Sequence, residues 1–196
     1  MDNILSEFVY GSTDGIITTF SIIAGSIGGD LPTYVILILG LSNVLSDGYS
    51  MGVSRYLSAK TEIQQGLLKN KNAFISAIAT FISFILVGII PLIPFMYNVE
   101  KRDINVEKRD INSEKEEQLV KDNVYSKKKL SLILAIISFF LIGVIKGYYL
   151  ETSSRLKSVK EKILWNGIES LVIGGSAAYI SYMIGKVVNN YITQEK

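Results

Sequence analysis

Apolar residues gather into five runs of membrane-spanning length, and the polar residues inside some of those runs recur at helical spacing. The runs are Tyr10 to Gly29, Pro32 to about Tyr56, Ala73 to Tyr97, Leu130 to Leu150 and Ile168 to Val188. Each is close to the ~20 residues an α-helix needs to cross ~30 Å of hydrocarbon. The third and fourth are recognisable from hydropathy alone, whereas the first, second and fifth carry Gly, Ser, Thr, Asn and acids. A short turn through Gly28, Gly29, Asp30 and Pro32 makes the first two runs an antiparallel hairpin. The predicted fold is an all-α integral membrane protein with five transmembrane helices. It has three sections: 1–97 with the first three helices, a charged insert at 98–128, and 129–196 with the last two.

The polar positions fall on two stripes. Asp14, Thr18, Ser21 and Gly25 are spaced by four, three and four residues, so they share one face of the first helix. Asn43, Asp47, Ser50, Met51 and Ser54 share a face of the second by the same rule. Counting from the ends of the runs at 1.5 Å per residue, Asp14 lies roughly 6 Å and Met51 roughly 7.5 Å inside the membrane. The hairpin therefore predicts Asp14 and Met51 at one level, with Asp47 a turn deeper and Asn43 near the midplane opposite Thr18 and Ser21. Ionisable groups at such depth are costly and usually face a cavity or a partner.

Composition narrows the chemistry. The chain has 196 residues, 48% hydrophobic and 19% charged, and its charges are concentrated in a few stretches, which is a membrane pattern. A net charge of +2 without interleaved basic and aromatic residues argues against nucleic acid as a partner. There is no Cys and no His, so disulfides, thiolate sites and the commonest metal ligand are all absent. A metal must be held by oxygen and thioether. Asp with Met suits transient binding of Fe²⁺ or Mn²⁺, since hard cations need no sulfur and a transported ion must also leave. Met in a membrane helix is otherwise ordinary filler. The stripes thus mark Asp14, Met51, Asp47 and Asn43 as metal candidates and Thr18, Ser21 and Ser50 as path lining. The ion is cargo, and no cofactor is expected.

Basic residues set the expected orientation. Arg55, Lys60, Lys69 and Lys71 follow the second run, and Lys146, Arg155, Lys157, Lys160 and Lys162 lie between the fourth and fifth, whereas the first turn has none. By the positive-inside rule the N-terminus is cytoplasmic. "MDNILSEF" lacks the basic region of a signal peptide, so the first run is expected to remain. The insert contains "VEKRDIN" twice, at 99–105 and 106–112, but its apolar pairs recur at five and two residues and make no coiled-coil seam. It reads as a solvated helix or disordered segment, or as an acidic metal-collecting loop.

"VYGSTDGIITTFSIIAGSIGG" and "LSNVLSDGYSMGVSRYLSAKTE" resemble the opening helices of the vacuolar iron transporter family, and "FFLIGVIKG" with "WNGIESLVIGGSAAYISYMIGKVV" resemble its fourth and fifth. The resemblance covers nearly all the chain except the insert. It implies a five-helix subunit that forms a homodimer, with the ion path along helices one and two at the interface and proton-coupled export of Fe²⁺ or Mn²⁺ from the cytoplasm. Asp14 and Met51 match the family's path-lining Asp and Met. A Glu of some members falls at Asn43 here, and Asp47, one turn on, is placed to supply the charge. The connection "SAKTEIQQGLLKNKNAF" is too short for the Glu- and Met-rich cytoplasmic domain of many plant members, so this is a short form, with Glu62 as the one acid left where ions would enter.

Other features admit two readings. Lys146 and Glu169, near the ends of the fourth and fifth runs, are either a structural ion pair or a proton relay. Gly11 to Gly15, Gly25 to Gly29, Gly48 to Gly52 and Gly143 to Gly147 are G-x-x-x-G pairs, which allow close helix approach within a subunit or across a dimer. No phosphate-binding G-x-x-x-x-G-K-[ST] loop is present, which argues against ATP-driven pumping, and no nucleophile with a base points to an enzyme. The competing class is a non-transporting membrane scaffold whose insert binds a partner. The expected setting is membrane lipid: the plasma membrane in a prokaryote, a vacuolar or other endomembrane in a eukaryote.

Overall fold

The computed structural model describes residues 2–67, 72–96, 114–150 and 159–194, and every element among them is helical. α1 spans Asp2–Gly28 and α2 spans Thr33–Gln64. α3 spans Ala73–Gly88 and continues through a 3-10 turn, Ile90–Leu92, into the short α4, Ile93–Met96. α5 is Glu114–Leu150 and α6 is Val159–Gln194. The VEKRDIN repeats lie outside the described residues. α5 begins well before Leu130, so the end of the insert and the fourth apolar run form one helix.

Local chemistry explains the boundaries. α1 stops where Asp30 takes a left-handed φ of 53°, a conformation that a short polar side chain tolerates. The Leu31 N–H then donates to the Ser26 carbonyl at 2.9 Å, and the Asp30 N–H to the Ile27 carbonyl at 3.1 Å. Pro32 follows and α2 begins at once. α3 is capped by the Asn72 side chain, which accepts from the N–H groups of Phe74 and Ile75 at 3.0 and 3.3 Å. Pro91 and Pro94 lack the N–H that an α-helix interior requires, and the regular ladder breaks there.

Among the described residues four helical stretches are long and apolar enough to cross a membrane: Thr33–Gln64, Ala73–Met96, Tyr125–Gly147 and Leu164–Gln194. α1 is not among them. Its 27 residues suffice in length, but Glu7, Asp14 and a series of Ser, Thr and Gly dilute its apolarity. Four of the five expected spans are thus met by length and apolarity among the described residues.

α1 packs chiefly on α3 and α6, and α2 chiefly on α3, so the expected hairpin is looser than the short turn implied. The glycines give the reason. A Cβ on Gly15 would lie 2.5 Å from the Phe84 carbonyl oxygen, and one on Gly52 3.2 Å from the Phe81 side chain. The slim faces of both helices thus turn to α3. Further along α1, Gly25 and Gly185 bring it against α6. These glycine pairs serve contacts inside one chain, and they carry no argument for a dimer.

α1 and α2 meet at the turn end, where Ile23, Ile36, Leu37 and Val44 form an apolar cluster with Leu92 and Phe95. A second cluster joins Ile16 to Ala135, Phe139 and Ile142 of α5, with Phe20 edge-on to Phe139 at 6.3 Å between ring centres. Away from the turn the two helices part, and a cleft opens between them.

Candidate metal path

The register between α1 and α2 decides which groups can meet. Asp14 and Asp47 are both half-buried, on α1 and α2 respectively. Met51 lines the cleft together with Ser6, Glu7 and Tyr10, and Arg55 of the same wall bonds Glu7. The Glu7–Arg55 bond, with Tyr10 and Met51 lining one cleft, describes an antiparallel register. It differs from the expectation that put Asp14 level with Met51. By that register Met51 is level with Gly11, about three residues nearer the open end than Asp14, roughly 4.5 Å along the axis.

The other stripe residues fall as follows. Asn43 donates from Nδ2 to Asp47 Oδ2 at 2.6 Å, one turn away on the same helix. The Asn43 amide therefore orients the neighbouring carboxylate. Thr18 and Ser21 are half-buried along with Asp14, whereas the enclosed hydroxyls of α1 belong to Ser12, Thr19 and Ser26 on a different face. The predicted stripe is thus not sealed in the core of the chain. Ser50 is exposed and lines the cleft. Among the described residues no three acidic side chains gather into one cluster, so carboxylates alone do not form a closed cage.

The cleft, of about 480 Å³, has a charged wall that the sequence reading did not assign. Arg55 donates to Glu7 twice, from Nε to Oε2 at 2.6 Å and from Nη2 to Oε1 at 2.7 Å. The Glu7 side chain is only 3% exposed and that of Arg55 18%. Thr80 of α3 adds a hydroxyl 3.4 Å from Glu7 Oε2, and Ser83 donates to the Glu7 carbonyl at the same distance. Arg55 also reaches Glu62 at 3.3 Å, and Ser58 donates to that carboxylate at 3.2 Å. Glu62, singled out as an acid near the mouth, is thereby joined to the cleft wall. A signal for Glu7 was present, since it precedes Asp14 by seven residues and extends the same helical face. Arg55 likewise follows Met51 by four.

At the other side of the chain Lys146 Nζ lies 3.2 Å from Glu169 Oε2, linking α5 to α6. Both side chains are more than a third exposed, which is the geometry of a surface ion pair.

A profile of the VIT family matches residues 5–66 and 62–186. The chain belongs to the VIT family. The first matched block takes in most of α1 and all of α2, the two helices that carry Asp14, Asn43, Asp47 and Met51. A stretch of this VIT chain is 48% identical over 54 residues to the vacuolar iron transporter of Toxoplasma gondii, covering 28% of this chain and 18% of that protein. It is 37% identical over 59 residues to the vacuolar iron transporter of Plasmodium berghei, covering 30% and 22% respectively. These matches span only about a fifth of the relatives' length. A vacuolar iron transporter of Centaurea cyanus aligns over 92% of this chain and 86% of its own length, at 20% identity.

Proposed function

We propose that this chain is a secondary transporter that exports Fe²⁺ or Mn²⁺ from the cytoplasm in exchange for protons, serving metal homeostasis and detoxification. The observation that carries the reading is the family match across α1 and α2, the two helices that bear Asp14, Asn43, Asp47 and Met51 and that together wall the cleft. In this reading Asp14 and Asp47 share the ion, whose two positive charges offset the repulsion between the carboxylates. Asn43 orients Asp47, and Met51 stands one turn toward the mouth as a softer ligand that favours transition metals over Ca²⁺ and Mg²⁺. In their unloaded state the same carboxylates are the groups available to take up protons. Relatives named as vacuolar iron transporters support the choice of cargo.

In this reading α1 is the fifth transmembrane helix. It lies against α3 and α6, which are apolar enough to span a membrane, and it shares their surroundings. Its polar residues are tolerated because they border a wet path. The half-buried stripe of Asp14, Thr18 and Ser21 would be completed by a second copy of the chain, making a homodimer with the path at its interface. The N-terminus and the open end of the cleft face the cytoplasm, in keeping with the Lys and Arg residues that follow α2.

Metal uptake into proteoliposomes tests the assignment, with Fe²⁺, Mn²⁺, Zn²⁺ and Ca²⁺ compared in wild type, Asp14→Ala and Met51→Ala. Loss of flux in Asp14→Ala and altered ion preference in Met51→Ala are expected. Equal rates and preferences in all three proteins would end the assignment.

A further inference from the structure

The path described so far ends in a cleft whose wall already holds a cation. Arg55 is bonded twice to the enclosed carboxylate of Glu7 and once, more loosely, to Glu62 at the rim. Glu7 and Met51 face the same space, with Tyr10 and the hydroxyls of Ser6, Ser50, Ser54 and Ser58 around them. Glu7 lies seven residues before Asp14, so the cleft is roughly 10 Å along α1 from the Asp14 carboxylate.

We propose that Arg55 is a tethered counter-ion that gates this cleft: it holds Glu7 while the cleft is empty, and an entering divalent cation takes Glu7 and moves the guanidinium onto Glu62. The inference rests on the metal-path reading above. A guanidinium and a divalent ion compete for the same carboxylate oxygens. The guanidinium binds by two directional hydrogen bonds and one unit of charge, whereas Mn²⁺ or Fe²⁺ brings two units to a shorter contact. Glu62 is already 3.3 Å from Nη1, and Ser58 Oγ is 3.4 Å from the same nitrogen, so a landing place for the displaced group is prepared. The exchange needs a side-chain rotation and no rearrangement of helices. It would keep Glu7 neutralised whether or not cargo is present, and it would weaken metal binding at the mouth enough to let the ion pass on.

The test uses the full-length protein in detergent. Binding of Mn²⁺ is read from the loss of the free-ion electron paramagnetic resonance signal, and uptake of Mn²⁺ is followed in proteoliposomes. Removing the competitor should tighten binding: Arg55→Gln should lower the Mn²⁺ dissociation constant by about fivefold or more and slow turnover at saturation. Arg55→Lys keeps the charge but loses the two-pronged contact, so its affinity should fall between wild type and Arg55→Gln. Glu7→Gln should weaken binding by about the same factor. If Arg55→Gln does not fold, Arg55→Lys decides alone.

Mn²⁺ binding by Arg55→Gln or Arg55→Lys no tighter than wild type would overturn the gate and leave Arg55 as a structural partner of Glu7. Asp14→Asn separates the two ideas. If it abolishes uptake while the Arg55 variants bind as wild type, the path stands and the gate fails. If it transports like wild type, the path reading itself is wrong.

Discussion

Arg55 of α2 and Glu7 of α1 are 48 residues apart in sequence and joined by two short bonds, at 2.6 and 2.7 Å, beneath the wall of a cleft. Glu7 is nearly sealed from solvent, so the pair behaves as a buried ion pair on one side and a partly exposed one on the other. Such pairs gain little over a well-packed apolar alternative, but breaking one leaves a charge without its partner. Arg55 also fixes the register between two helices that otherwise share limited contact.

Truncating this pair on one side should therefore be costly for the fold. Arg55→Ala is expected to destabilise the protein by about 3 kcal/mol, and Glu7→Gln by less, because a neutral amide is cheaper to bury than a carboxylate that has lost its guanidinium. Thermal unfolding in detergent should rank them in that order, with Arg55→Lys between wild type and Arg55→Ala.

Asp14 and Asp47 should act as one unit. Asp14→Asn and Asp47→Asn are each expected to reduce Mn²⁺ flux by about tenfold or more, with the double variant little worse than either single one, since both remove ligands from the same ion. Fully multiplicative losses would mean that the two carboxylates serve separate steps.

The hydrogen bond from Asn43 to Asp47, 2.6 Å long, makes a further prediction. Asn43→Ala should weaken metal binding by roughly threefold to tenfold through loss of carboxylate orientation, about 1 kcal/mol. Asn43→Glu adds a charge at the same place and should tighten binding. Both are read from the metal concentration at half-maximal flux.

Met51→Leu conserves volume and should change stability by less than about 1.5 kcal/mol. Its effect should appear in selectivity: Ca²⁺ should compete better against Mn²⁺ in the variant than in wild type. An unchanged competition profile would mean that the thioether is packing and nothing more.

Two glycines provide a contrast that is independent of transport. At Gly15 an added methyl would meet the Phe84 backbone at 2.5 Å, whereas at Gly175 no atom lies within 4 Å. Gly15→Ala should cost about 1–3 kcal/mol by forcing α1 away from α3, while Gly175→Ala should be neutral or slightly stabilising. Unfolding midpoints of the two variants check this directly.

The sequence by itself determined the helices, because apolar runs of spanning length, Pro32 before α2 and the Asn72 cap act over a few residues. It also determined the polar faces, since spacings of three and four put Asp14 with Thr18 and Asn43 with Asp47 on any α-helix. It revealed the family through two long motifs. Tertiary structure alone decided the register, which tied Glu7 to Arg55 and set Met51 among the residues lining the cleft with Tyr10. It also decided that the slim faces of α1 and α2 turn to α3, and that Glu7 is the buried partner of Arg55. Those outcomes depend on close approach between backbones distant in sequence and on which charges find each other there, and local periodicity carries no information about either.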